Sequence, residues 1–146
     1  MKIYMVEFHH FYYKDPLDNE DVEDKYTIGY FSSFDLALDA IKACIIKGHL
    51  KKQDFKIIDY EIELKKHQKY VYVLNYEFSI LKNDGGYEDY YYKFTPCTSE
   101  KQCAELKEKL IKTGQINKKE NAIYDVSSDG FYIDKIKINF INTIYF

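Results

Sequence analysis

Hydrophobic and polar positions alternate along several stretches of this chain, which is the pattern of β-strands with two different faces. The two longest alternating stretches, 2–11 and 69–81, are rich in Tyr, Val, Phe and Ile. Further strands are expected at 25–31, 55–64, 88–95 and 131–141. Between two of them, Asn83-Asp84-Gly85-Gly86 predicts a hairpin turn, because glycine accepts positive φ angles.

Two other segments, 34–47 and 99–112, place apolar side chains at helical spacing and predict amphipathic helices. Ser32 or Ser33 can cap the first helix, and Ser99 with Gln102 has the spacing of a capping box. The apolar stripes are Ala37, Leu38, Ile41, Cys44 and Ile45 in the first helix, and Cys103, Leu106, Leu110 and Ile111 in the second.

The order strand–strand–helix–strand occurs twice, and matching residues keep their order along the chain. Tyr4 corresponds to Tyr72, for example, and a short strand with a turn is inserted in the second unit at 121–130. We therefore predict an α+β fold of two pseudo-symmetric ββαβ units, residues 1–66 and 67–146, packed together as one globular domain. A right-handed crossover predicts the strand order 3-1-2 in a mainly antiparallel sheet.

The first unit resembles a family of small bacterial and phage domains of unknown function. The likeness lies in Lys2-Ile3-Tyr4-Met5-Val6, in Ile28-Gly29-Tyr30-Phe31-Ser32-Ser33 and in Phe55-Lys56-Ile57-Ile58-Asp59-Tyr60-Glu61-Ile62. The second unit keeps the layout but lacks the Ile-Gly and Ser-Ser positions. The resemblance implies tandem ββαβ domains in a bacterial or phage intracellular setting, and it implies no activity.

Charge and composition exclude several classes of protein. All 21 basic residues are Lys, against 24 acidic residues, and the net charge is −3. Without Arg the chain cannot make the planar bidentate contact with phosphate or guanine, so direct nucleic-acid binding is not expected. Three Cys form no disulfide framework, and no apolar run reaches the roughly 20 residues of a membrane span. We expect a cytoplasmic protein in a bacterial cell or a phage-infected host, without membrane contact.

Six acidic residues crowd into ten positions and are interrupted by Pro16 and Asn19, which predicts a solvated loop. The loop either aids solubility or faces a basic partner protein. Its acidic residues are Asp15, Asp18, Glu20, Asp21, Glu23 and Asp24.

A strongly aromatic sheet face is predicted opposite the helices, because the aliphatic residues Ile3, Met5, Val71 and Val73 are assigned to the helix side. Such a face can pack between the two units, can contact another protein or a second copy of this chain, or can hold a flat ligand. In the case of contact with another protein or a second copy, the two units can join edge to edge into one six-stranded sheet whose aromatic face is the contact. The candidate binding residues on this face are Tyr72, Tyr76, Tyr90 and Tyr92.

Candidate chemistry is sparse, and we predict no catalytic set, no metal site and no cofactor. No Cys-x-x-Cys or His-x-x-x-His spacing occurs, and His9 and His10 point to opposite faces of their strand. Cys97 precedes the second helix, whose dipole would favour a thiolate, and His10 lies near two tyrosines. For both residues an ordinary structural role is the favoured interpretation.

These features lead to the hypothesis of a non-enzymatic binding protein that has a protein partner, with a homodimer as a further way to cover the aromatic face. The Lys-rich, Arg-free usage is typical of an AT-rich bacterial or phage genome. The hypothesis therefore narrows to a phage or mobile-element inhibitor of a bacterial defence protein of the CRISPR-effector type. The alternative is a protein that sequesters a nucleotide or another small signal molecule.

Overall fold

Two compact units build the α+β fold of this chain, as seen in a computed structural model. The structure describes residues 1–14, 21–116, 122–124 and 127–142, with the backbone alone for 10–14 and 21–24. Unit 1 comprises Met1–Lys65 together with Lys137–Phe146, and unit 2 comprises Lys66–Ile136. Within the described part, neither helix has the length and apolar content needed to cross a membrane.

Unit 1 is an antiparallel three-stranded sheet with one helix. Its elements are β1 (Lys2–Lys14), β2 (Asp21–Phe31), α1 (Phe34–Gly48), a 3₁₀ turn (Lys52–Asp54) and β3 (Phe55–Glu61). The order β2-β1-β3 places the first strand in the centre, which confirms the predicted order. The acidic stretch differs from the prediction, because Asp21–Asp24 belong to β2 and pair with β1 instead of forming a loop.

Unit 2 is a four-stranded sheet with one helix. Its elements are β4 (Tyr70–Leu81), β5 (Tyr87–Lys93), α2 (Glu100–Lys112), β6 (Ala122–Ile123) and β7 (Phe131–Lys137). The order is β5-β4-β6, and β7 also pairs with β4. The strands that the structure describes thus form two sheets, one of three strands and one of four. The predicted hairpin turn is confirmed, with Gly85 at φ 86° and the Lys82 N–H bonded to the Gly86 carbonyl at 2.7 Å.

Both helices begin at the predicted serine caps. The Ser33 hydroxyl accepts from the Leu36 N–H at 3.2 Å, and the Ser99 hydroxyl accepts from the Gln102 N–H at 3.2 Å. The Gln102 side chain returns a bond to the Thr98 N–H at 2.9 Å, one residue before the cap. These short-range contacts satisfy amide donors that the first helical turn leaves without partners.

The helices pack on the aromatic faces of the sheets, so the predicted assignment of faces is wrong. In unit 1, Val6 and Phe8 contact Ala37, Ile41 and Cys44 of α1 in one core. In unit 2 the residues that share a core with α2 are Tyr72, Leu74, Tyr76 and Phe78 from β4, with Tyr90 from β5. The aliphatic residues Ile3, Met5, Val71 and Val73 alternate with these and lie on the opposite face, where they are also buried.

The C-terminal segment belongs to unit 1, whereas the sequence analysis assigned it to the second unit. The Asn139 N–H donates to the Tyr30 carbonyl at 2.8 Å, and the Asn142 N–H donates to the Ile28 carbonyl at 2.8 Å, so residues 139–142 lie along β2. A glycine permits this approach, because a Cβ at Gly29 would lie 2.5 Å from the Phe140 carbonyl oxygen.

Candidate functional site

Tyr76, one of the tyrosines predicted to bind a partner, is a core residue of unit 2 and offers almost no surface. Only 2 % of its surface is exposed, and its ring centroid lies 4.6 Å from that of Phe131. Its hydroxyl lies 3.2 Å from the hydroxyl of Tyr124. Burial, and then this hydrogen bond, raise the pKa of Tyr76 well above its ordinary value, so the side chain stays neutral.

The other three predicted tyrosines lie on the same face of the sheet as Tyr76. Tyr72 is half-buried, and its backbone N–H and carbonyl pair with those of Cys97. Tyr90 is also half-buried and stacks on Phe78, with the ring centroids 5.0 Å apart and the planes 13° from parallel. Both therefore pack against the core. Tyr92 is 46 % exposed and is the one predicted tyrosine that offers much surface to a partner.

A different group of apolar side chains is exposed on the face of unit 2 away from α2. Tyr87 lies opposite Leu81 at the end of the hairpin, and Tyr91 follows on the same side of β5. Each of these three residues has at least half of its surface exposed. We call Leu81, Tyr87 and Tyr91 the tyrosine surface. The sequence analysis missed this surface because it assigned the even-numbered tyrosines to the outer face. β5 carries tyrosines at both even-numbered and odd-numbered positions, and the odd-numbered ones lie on the face away from α2.

Hydrogen bonds fix the ring of Tyr91 in this surface. Its hydroxyl donates to Asn75 Oδ1 at 2.7 Å, and the Asn75 amide donates to Asp134 Oδ2 at 3.0 Å and to the Val73 carbonyl at 3.1 Å. Asn75 is fully buried, so these bonds also satisfy a buried amide. Within the tyrosine surface, the ring of Tyr91 is thus held in place before any partner arrives.

Beside this network, the Tyr132 hydroxyl donates to Glu77 Oε2 at 3.2 Å. Burial is the main cause that raises the pKa of Tyr132 far above its ordinary value, and the neighbouring Tyr91 and Glu77 add to it. Tyr132 is therefore a neutral hydrogen-bond donor at every physiological pH. The contact is structural and offers no acid or base for catalysis near neutrality.

β5 is the terminal strand of its sheet among the strands that the structure describes. The bonds from the Lys82 N–H to the Gly86 carbonyl and from the Phe94 N–H to the Leu74 carbonyl set the pairing of the hairpin. Since hydrogen-bonded pairs alternate in an antiparallel ladder, even-numbered residues of β5 direct their backbone groups at β4. The odd-numbered residues Tyr87, Asp89, Tyr91 and Lys93 direct their N–H and C=O groups away from it.

A cavity of about 150 Å³ lies on the α2 side of unit 2. Its volume is below the roughly 300–1,000 Å³ that is usual for a small-molecule site, and a nucleotide would not fit inside it. Its walls are mostly apolar, formed by Tyr76, Ile111, Ile116, Tyr124 and Phe131, with Ser128 and Asp129 as the polar members.

The negative charge of Asp129 at this cavity is balanced by a lysine. Lys107 Nζ forms an ion pair with its carboxylate and also lies 5.1 Å from the ring centroid of Phe131. Partial burial acts to raise the pKa of Asp129, but Lys107, the Phe131 N–H and the Ser127 hydroxyl together outweigh it and lower the pKa. The carboxylate and the ammonium satisfy each other, so this cavity presents no unmatched charge to a ligand.

The thiols of Cys44, Cys97 and Cys103 are all buried. Burial raises the pKa of Cys97, and the neighbouring thiol of Cys103 lowers it by less. Burial raises the pKa of Cys103 to about 12 and also raises the pKa of Cys44. Burial therefore disfavours a thiolate at Cys97, in agreement with the structural role that the sequence analysis favoured.

The remaining predicted residues do not assemble into a site in the described part of the chain. Asp15, Asp18 and Glu20 lie outside the described residues, and the side chains of His10, Asp21, Glu23 and Asp24 do so as well. The neighbouring His9 is buried, and its Nε2 lies 2.6 Å from Glu7 Oε1. Among the residues that the structure describes, no group of three His, Cys, Asp or Glu side chains could hold a metal ion.

Comparison of this chain with models of known protein families, with curated proteins and with solved structures finds no match.

Proposed function

We propose that this protein works by binding another protein, without catalysing a reaction, and that the tyrosine surface of unit 2 is the contact. The observation that carries the proposal is the exposure of Leu81 and its cross-strand neighbour Tyr87, with Tyr91 exposed four residues along the same face of β5. Large apolar side chains grouped on a surface are typical of protein contact sites. Tyrosine suits such a site, because its ring buries a large area while its hydroxyl tolerates water.

The fixed position of the Tyr91 ring supports the same function. Tyr91 is held by Asn75, which is itself bonded to Asp134, so binding costs little side-chain entropy at that ring. The narrower hypothesis names the partner as a bacterial defence protein that is inhibited by the contact. The alternative, sequestration of a nucleotide, gains no support from the cavity beside Tyr76, which is too small for such a ligand.

Lysine substitutions on the tyrosine surface should weaken partner binding without unfolding the protein. Leu81→Lys combined with Tyr87→Lys should lower affinity about 10- to 100-fold, the range expected when central contact residues are lost. Tagged wild-type protein captures partners from a bacterial lysate, mass spectrometry identifies them, and biolayer interferometry with each purified partner gives the affinity.

Two single variants serve as controls in that experiment. Ile46→Lys makes the same kind of change at a residue of α1 that is 77 % exposed, and it should leave affinity unchanged. Tyr92→Lys tests the opposite face of β5. A partner that binds the double variant as tightly as wild type would refute the tyrosine surface as the contact, and loss of binding in Tyr92→Lys alone would transfer the contact to the α2 side.

Removal of the acidic charges should slow association with a basic partner. Replacement of Asp18, Glu20, Asp21, Glu23 and Asp24 by Asn or Gln raises the net charge from −3 to +2. Electrostatic attraction speeds the first encounter of the two partners, so the association rate of the variant should be about 10-fold lower than that of wild type at low salt. Near 0.5 M salt the charges are screened, and the two association rates should become equal. Stopped-flow association at several salt concentrations measures this, and equal rates at low salt would exclude the acidic stretch from partner contact.

A further inference from the structure

We propose that the cavity on the α2 side of unit 2 is a binding site for one neutral aromatic ring that carries a hydroxyl group, a ligand of the size of phenol. This site goes beyond partner binding, because the tyrosine surface lies on the opposite face of the same sheet. The volume of the cavity, its aromatic walls, its pair of hydroxyl groups and its balanced charges all point to this class of ligand.

The cavity has the volume of a single ring and connects the core of unit 2 with solvent. An apolar cavity of roughly 150 Å³ holds one benzene ring, and this cavity has the same volume, about 150 Å³. Tyr76 and Phe131 in its walls are buried, whereas Ile111 is 50 % exposed. A ring can therefore enter past Ile111 without unfolding the protein and still bury most of its surface against the core.

The walls suit an aromatic ring better than an aliphatic chain. The ring of Tyr76 lies 4.6 Å from that of Phe131 and 6.2 Å from that of Tyr124, with the planes 41° and 51° apart. Tilted rings at roughly 4.5–7 Å attract each other through their quadrupoles. A bound ring would add a fourth member to this cluster, while Ile111 and Ile116 supply aliphatic contacts.

A pair of hydroxyl groups explains why the ligand should carry a hydroxyl. The hydroxyl oxygens of Tyr76 and Tyr124 lie 3.2 Å apart, and both residues line the cavity. One hydroxyl donates to the other, so their mutual bond uses one of the two protons. The second proton and the remaining lone pairs can bond a ligand hydroxyl, which would extend the pair to a chain of three.

The charges at the cavity favour a neutral ligand. Asp129 Oδ1 accepts from the Ser127 hydroxyl and from the Phe131 N–H, each at 3.1 Å, and Lys107 forms an ion pair with Oδ2. A cationic ligand would have to displace Lys107 from this carboxylate, and an anionic ligand would be repelled by it. A neutral phenol meets neither cost.

A nuclear magnetic resonance titration of the labelled full chain with phenol tests the site. Amide and methyl signals of unit 2 should shift in a saturable way, with a dissociation constant on the order of 1 mM, as suits a ligand of so few atoms. Nuclear Overhauser effects should connect the phenol ring with the methyl groups of Ile111 and Ile116. Shifts that do not saturate, or Overhauser effects only to methyl groups elsewhere, would overturn the proposal.

Filling the cavity should abolish binding. Ile116→Trp places an indole where the ligand would lie, so phenol should bind about 10-fold more weakly or not at all, since a close-packed interior cannot hold both. Ile46→Trp is the matched control, because it makes the same change at an exposed residue of α1, and its affinity should equal that of wild type. Far-UV circular dichroism verifies that both variants are folded. A folded Ile116→Trp variant that binds phenol like wild type would refute the cavity as the site.

Toluene, which has a methyl group in place of the hydroxyl, tests the role of the two tyrosines. The double variant Y76F/Y124F removes both hydroxyls and keeps both rings, so phenol should bind about 2- to 10-fold more weakly, the value of one or two neutral hydrogen bonds. The affinity for toluene should stay as in wild type, which shows that the cavity keeps its shape. Unchanged phenol affinity, or equal losses for both ligands, would exclude recognition by the hydroxyl pair.

The surface variant separates this inference from the proposed function. Leu81→Lys combined with Tyr87→Lys should bind phenol as tightly as wild type, because neither residue lines the cavity. Loss of phenol binding in this variant would contradict the placement of the site on the α2 side. Absence of phenol binding in wild type would leave partner binding through the tyrosine surface to be decided by its own variants.

Discussion

Tyr76→Ala should destabilise unit 2 by about 3–5 kcal/mol, the usual cost of removing a large aromatic side chain from a core. The ring of Tyr76 lies against Phe131, Phe78 and Tyr124, with centroid distances of 4.6, 5.2 and 6.2 Å. Alanine would remove all three contacts and extend the cavity that Tyr76 already lines. Urea denaturation followed by far-UV circular dichroism gives the free energy of unfolding.

Two matched variants make this result specific to burial. Tyr76→Phe keeps the ring and removes only the hydroxyl that meets Tyr124, so it should cost about 1 kcal/mol. Tyr92→Ala removes a tyrosine of the same face that is nearly half exposed and should cost less than Tyr76→Ala. If Tyr76→Ala kept full stability but lost partner binding, Tyr76 would belong to a binding surface, and its assignment to the core would be wrong.

The elements that depend on short-range signals are the ones the sequence predicts well. Ser33 and Ser99 cap the helices, and Gly85 forms the hairpin turn, because each of these contacts lies within a few residues of its partner. The strand order of unit 1 is also predicted well, because it follows from the general preference for right-handed crossovers and needs no local sequence signal.

The assignment of the two sheet faces fails for a physical reason. Alternation separates the residues of a strand into two sets, but it does not say which set meets the helix. Here both sets are apolar, and both are buried, as Val6 and Met5 illustrate on adjacent positions of β1. The assumption that aliphatic side chains prefer the helix side reverses the assignment. The same reversal hides Tyr87 and Tyr91, which lie on the face that was taken to meet the helix.

Long-range contacts are the other part that the sequence does not reveal. The C-terminal segment lies along β2 through Asn139 and Asn142, about 110 residues from its partners. Nothing near those asparagines indicates the pairing, although the polar Asn139 side chain also bonds to the Ser32 N–H at 2.8 Å. In β2, the backbone pairing of Asp21–Asp24 with β1 overrides the low strand propensity of aspartate, because tertiary context outweighs weak local preferences.

Gly130→Ala should destabilise unit 2 by roughly 2–4 kcal/mol, since it combines a left-handed backbone with a lack of space. Gly130 has a φ of 81°, and a Cβ there would lie 2.6 Å from a ring carbon of Tyr124 and 2.8 Å from the Glu77 carbonyl oxygen. Its own carbonyl accepts from the Glu77 N–H at 2.9 Å, so the clash would separate β7 from β4. Thermal and urea unfolding measure the loss.

Gly85→Ala is the matched control, because it separates backbone strain from the clash. Gly85 has nearly the same φ, 86°, but its Cβ would meet no atom within 4 Å. It should therefore cost only the backbone term of about 1–2 kcal/mol. If both variants lose the same free energy of unfolding, Tyr124 and Glu77 move aside for the new Cβ without destabilising the protein. A larger loss at Gly130 would mean that close packing of β7 on β4 holds Phe131 and Tyr124 in place around the core of unit 2.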